Sequence, residues 1–117
     1  MTTTTFDLTA LTSAIEGRDA EGQLAFYVPD AELVLVDRDN PPSSPRIISG
    51  TAQLRAFLTD VTSREMTHSV RAAVADDKHV ALEVACAYPD GTQVLCVCVG
   101  DLRDGRITRS HQVQAWD

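Results

Sequence analysis

From Glu65 onward the chain alternates apolar and polar residues, and the alternation is broken by short, strong turn signals: Asp76-Asp77, Pro89-Asp90-Gly91 and Asp104-Gly105. Proline presets the first turn dihedral and glycine accepts a positive one, so these segments reverse the chain within a few residues. Strands joined so tightly are antiparallel, because parallel neighbours need a crossover of a dozen or more residues. The second half is therefore expected to be a meander. It begins with a strand carrying Met66, His68, Val70, Ala72 and Val74 on one face and Thr67, Ser69 and Arg71 on the other. Strands over 80–88, 92–103 and 106–116 follow.

The first half keeps a helical period. Asp7 can cap a helix in which Leu8, Leu11 and Ile15 recur until Gly17. Asp19 caps a second one carrying Leu24, Phe26 and Tyr27, and Pro29 is expected to end it. Leu33-Val34-Leu35-Val36, within 31–37, reads as a buried strand. The segment Asp39-Asn40-Pro41-Pro42-Ser43-Ser44-Pro45 reads as a stiff loop, and Ile47-Ile48 as a very short strand. Gly50-Thr51 opens a third helix with Leu54, Phe57, Leu58 and Val61 on one stripe. Helices segregated from an antiparallel sheet define an α+β class.

At 117 residues the chain matches one domain, 1–117, by the usual size of about 100–150 residues. Seventeen acidic against ten basic side chains leave a net charge of −7. That balance disfavours nucleic acid and anionic membrane surfaces as partners. A hydrophobic share of 44% excludes a disordered chain. No apolar run reaches the roughly 18–20 residues of a membrane span, and the Thr-rich start at 2–5 lacks the features of a signal peptide. Cys86, Cys96 and Cys98 are odd in number and match neither a disulfide framework nor a C-x-x-C motif. They read as small apolar residues in a reduced, cytoplasmic protein.

Several segments, in this order and spacing, carry a resemblance to a known family: Glu16-Gly17-Arg18-Asp19-Ala20, Phe26-Tyr27-Val28-Pro29-Asp30-Ala31, Ile48-Ser49-Gly50-Thr51 and Leu102-Arg103-Asp104-Gly105-Arg106-Ile107. Over essentially its whole length the chain resembles the nuclear-transport-factor-2-like superfamily, and within it the SnoaL-like and ketosteroid-isomerase-like proteins. The resemblance implies a cone: three N-terminal helices packed in a strongly curved, mixed but mostly antiparallel sheet, with one internal pocket. The same fold hosts isomerases, cyclases, hydrolases, lyases and plain binding proteins, so it fixes no reaction. Ketosteroid isomerase needs a carboxylate base and an oxyanion hole made by a tyrosine and a protonated aspartate. Alignment to that family puts the base's place near Leu35, the tyrosine's at Leu11 and the aspartate's at Val99, and all three are apolar.

The strand pattern nominates other groups. His68 shares a face with Val70 and Val74, either as a hydrogen-bonded core residue or as a functional one. Asp37 continues the Leu33–Leu35 alternation, so Asp37 and His68 are expected to meet in one cavity as an acid/base pair. In the last strand Ser110, Gln112, Gln114 and Trp116 share one face and His111, Val113 and Ala115 the other. Pattern alone leaves either face inward; the resemblance implies that Ser110, Gln112 and Gln114 face the cavity and that Cys96 and Cys98 lie on the convex side. Cys86 and Tyr88 alternate with Val80, Leu82 and Val84, and Tyr27 lies at the helix-to-sheet junction. Tyr27, Cys86, Tyr88, Ser110, Gln112, Gln114 and Trp116 are thus the expected ligand contacts.

No metal-binding, phosphate-cradling or nucleophile-elbow motif occurs, so neither metal nor cofactor is expected. The resemblance implies a cofactor-free lyase, isomerase, cyclase or hydrolase acting on an apolar or mixed-polarity, oxygen-bearing metabolite. The alternative is a non-catalytic binding or dimerisation module. Ala81, Glu83, Ala85 and Ala87 form a mostly small-residue outer face on which a homodimer is expected.

Overall fold

The computed structural model describes residues 6–117, and the Thr-rich stretch 2–5 lies outside the described residues. Helix α1 spans Leu8–Glu16, with Asp7 as N-cap accepting the Ala10 N–H at 2.9 Å. Helix α2 is a short turn, Ala20–Leu24, capped by the Asp19 carboxylate on Gly22 N–H. Strand β1 (Tyr27–Val36) and strand β2 (Arg46–Ser49) precede α3 (Gly50–Ser63). Strands β3 (Thr67–Ala75), β4 (His79–Ala87), β5 (Gln93–Arg103) and β6 (Arg106–Trp116) complete the chain.

The six strands form one curled sheet in the order β2-β1-β6-β5-β4-β3. The meander β3 to β6 is antiparallel throughout, and β1 joins β6 in parallel, so the sheet is mixed. All three turn signals form as expected. Asp104 and Gly105 both take positive φ (52° and 76°), the twist that a two-residue hairpin requires. Gly91 takes φ 93° in the turn that closes from Tyr88 to Thr92. Leu54 of α3 is fully buried, as is Leu33 of β1, and Phe57, Leu58 and Leu35 are nearly so. This apolar contact seats α3 inside the curl of the sheet.

Two local expectations are corrected. Pro29 does not end α2; it lies inside β1. The pairing of β1 with β6 is irregular between Tyr27 and Glu32, and Pro29 is exposed there, where a missing N–H leaves no ladder bond unmade. The face assignment of β3 also changes midway. Val70 pairs with Val84 but Ala72 pairs with Glu83, so Arg71 is an extra, bulged residue. Beyond it the parity inverts: Ala73 turns inward, while Ala72 and Val74 face out, Val74 with 68% of its surface exposed.

Candidate functional site

Register decides which side chains face the interior. Val80, Leu82, Val84 and Cys86 of β4 are buried, and their partners across the ladder share their face. Val84 pairs with Cys96, and Leu82 with Cys98, which itself pairs with Gln112. Cys96 and Cys98 therefore point inward, not to the convex side. The outer positions are Leu95, Val97 and Val99, 38–48% exposed. Val99 accordingly cannot serve an internal oxyanion site; the inward neighbour is Cys98, again without a carboxyl.

The interior holds a cavity of about 90 Å³ between α3 and the sheet. Phe57, Leu58, Val61, Met66, Val84 and Val94 give it apolar walls, and Cys86, Cys96 and Cys98 add thiols. Its polar groups are few: His68, Arg64, Gln23, Gln112 and Gln114, with Trp116 at one end. Among the described residues no carboxylate lines it. Gln114 accepts the Trp116 indole N–H at 3.1 Å, which leaves the amide N–H groups of Gln114 unengaged. Gln112 makes no side-chain hydrogen bond among the described residues.

His68 sits opposite Cys86 on the neighbouring strand, with Nδ1 3.4 Å from Sγ. Burial, and the positive charge of Arg18 behind it, hold the imidazole below its ordinary pKa of 6.5. Burial also raises the Cys86 thiol, so both partners are neutral. A thiol is a weak donor and a weak acceptor, whereas a bare imidazole nitrogen is a strong acceptor, so the pair is best satisfied in the Nε2–H tautomer, with Cys86 S–H donating to Nδ1. The ring hydrogen then resides on Nε2. Among the described residues Nε2 is the one buried side-chain nitrogen or oxygen without a hydrogen-bond partner. Burial similarly pushes the Cys96 thiol up to about 12 and the Cys98 thiol to about 11, which keeps them as thiols at neutral pH.

Asp37 and His68 are not brought together. Their strands β1 and β3 are separated in the sheet by β6, β5 and β4. The Asp37 carboxylate instead ties its own loop, accepting from the N–H groups of Asp39 and Asn40 and from the Asn40 amide at 2.8–3.0 Å. Burial is the largest single influence and opposes its ionisation, but these donors together with the Arg46 charge outweigh it and bring its carboxyl below the ordinary 3.8. β1 ends at Val36, and the turn satisfies the carboxylate before it can follow Leu33 and Leu35 inward.

The other expected contacts divide. Cys86, Gln112, Gln114 and Trp116 line the cavity. Tyr27 and Ser110 are buried behind its wall and do not line it, and burial raises the Tyr27 phenol far above its ordinary range. Tyr88 lies at the rim, over an open groove beside Glu16, Arg18 and His68. Its hydroxyl accepts from Arg64 Nη1 at 3.4 Å and its ring lies 6.0 Å from that of Trp116. The loop after β1 borders a separate cavity of about 250 Å³ that shares Phe57, Val61, Arg64, Gln114 and Trp116 with the apolar one.

Residues 8–110 match a family model for the SnoaL-like domain. No curated protein matches the chain significantly. Among solved structures, one described as "putative ketosteroid isomerase" from Kribbella flavida is 20% identical, covering 92% of this chain and 73% of that one, with a TM-score of 0.75. An NTF-2 like protein of unknown function from Burkholderia xenovorans is 21% identical over 94% of this chain and 79% of that one, TM-score 0.71. IdmH, described as "a putative polyketide cyclase" from Streptomyces antibioticus, is 21% identical over 91% and 87%, TM-score 0.65. At these identities the likeness is one of fold, the cone of the nuclear-transport-factor-2-like proteins. Among the described residues no helix is long and apolar enough to cross a membrane.

Proposed function

The chain belongs to the SnoaL-like domain family, and on that footing we propose that it is a small-molecule pocket protein whose cavity takes a mainly apolar, oxygen-bearing metabolite. The observation that supports this most is an otherwise apolar, thiol-lined cavity bordered by His68, whose buried Nε2 has no hydrogen-bond partner among the described residues. A buried donor without a partner costs about 1–3 kcal/mol, and a ligand oxygen would recover it. The amides of Gln112 and Gln114 offer further hydrogen bonds, so a carbonyl or hydroxyl is held while the hydrocarbon part meets Phe57, Leu58 and Val84.

This arrangement favours binding over two-carboxylate acid/base chemistry, since no carboxylate lines the cavity. A catalytic reading survives in one form. Neutral His68 can polarise a ketone oxygen through Nε2–H, the electrophilic half of an isomerase or cyclase reaction, without the Asp37 partnership.

Titration calorimetry with octan-2-one, a neutral ketone, tests the pocket. Saturable binding to the wild type, weakened about tenfold or more by His68→Phe, supports it. Absence of binding, or equal binding by both proteins, overturns it.

We further propose that a second copy of the chain covers the convex face. Leu95, Val97, Val99 and Val113 are exposed there around small Ala81 and Ala85, an apolar surface of the kind that associates in a two-fold dimer.

A further inference from the structure

In a chain of net charge −7, three of the ten basic side chains converge on one spot, Arg38, Arg46 and Arg64 lining, with Asp37 and Asp39, the 250 Å³ cavity that adjoins the apolar one through shared Phe57, Gln114 and Trp116. Each reaches it from a different element: Arg38 from the loop after β1, Arg46 from the start of β2, and Arg64 from just past α3. The Arg38 guanidinium lies 4.1 Å from the centroid of the Trp116 ring, and that of Arg46 lies 5.6 Å from that of Phe57. Both rings also line the apolar cavity. A guanidinium stacked on a ring is oriented by it while its N–H edge stays free to fork onto an oxyanion.

The local carboxylates do not consume these donors. Asp60 pairs with Arg64 at 2.7 Å, through Nη2. Asp37 is engaged by the N–H groups of its own loop, and Asp39 is exposed. Arg38 and Arg46 have no carboxylate within 4.0 Å among the described residues. Trp116 is the hinge of the arrangement, with one part of its indole on the apolar cavity and Arg38 over its face.

Resting on the pocket reading above, we infer that the ligand is an amphipathic acid, its hydrocarbon part in the thiol-lined cavity and a carboxylate at the mouth between Arg38 and Arg46. Forked guanidinium–carboxylate contacts are stronger than neutral hydrogen bonds, so the charge adds affinity and fixes which end of the ligand enters first. It also makes binding sensitive to salt, because both guanidiniums are exposed.

The test compares octanoate with octan-2-one by calorimetry on the full chain, wild type and Arg38→Gln/Arg46→Gln. Both arginines are exposed, so the double variant is expected to fold; unchanged circular dichroism checks this. Octanoate should bind about tenfold or more tightly than octan-2-one, lose that advantage in the double variant, and weaken with added sodium chloride, while octan-2-one is unaffected by either. Equal affinities, or an octanoate advantage that survives the double variant, overturn the acid assignment and leave the neutral pocket standing. Failure of both compounds to bind overturns the pocket and the acid together.

Discussion

The Nδ1 atom of His68 lies 3.4 Å from the Sγ atom of Cys86, its cross-strand partner. This contact determines the site's chemistry. Because both groups are held neutral by burial, the thiol satisfies Nδ1 and the buried Nε2 is left without a partner among the described residues. In the proposed pocket the imidazole would therefore act as a donor toward a ligand oxygen rather than as a base toward a ligand proton.

His68 should make stability pH-dependent in the mildly acidic range. Its folded pKa lies below the ordinary 6.5, so on acidification the unfolded chain takes up the proton first. Stability is then complete above 6.5, falls below it, and levels off once the pH passes the folded pKa. Asp37, Asp76 and Asp90 are held below 3.8 and titrate outside this window. His68→Phe should flatten the Tm profile between about pH 7 and about pH 5. Parallel profiles for the two proteins would contradict the depressed pKa.

Native Cys96 and Cys98 should resist alkylation. With thiols near 12 and 11, their thiolate fraction at neutral pH falls short of that of an ordinary cysteine by a factor of about 100 or more. Iodoacetamide labelling followed by mass spectrometry should show them modified quickly only after denaturation. Rapid labelling of the folded protein would mean that the thiols are activated.

The convex face should hold a dimer. Val97→Glu places a charge among Val99, Val113 and Leu95, which are themselves exposed, so folding should be little affected. Light scattering should report a dimer for the wild type and a dissociation constant raised about 100-fold or more for the variant. A monomeric wild type at micromolar concentration would contradict the assignment.

Much of this fold was legible in the sequence because tight turns leave little freedom. Asp104-Gly105 and Pro89-Asp90-Gly91 fix an antiparallel order whatever packs on it. The same turns also held information that the family alignment misread. With Cys86 opposite Val94, parity alone puts Cys96 and Cys98 inward beside Gln112 and Gln114. Two features escape parity altogether. The Arg71 bulge inverts β3 with no glycine to mark it, and the Asp37 turn diverts a carboxylate whose spacing pointed inward. The clustering of Arg38, Arg46 and Arg64 depends on three elements meeting in space, and local spacing carries no trace of it.

The most direct test of the account is a long-range proton–nitrogen NMR spectrum of His68 at pH 7, recorded during titration with octan-2-one. A neutral ring carrying its hydrogen on Nε2 is expected in the free protein, with the Nε2–H resonance shifting saturably as ketone binds. A ring protonated on both nitrogens, a hydrogen on Nδ1, or an Nε2–H signal indifferent to the ketone would contradict it.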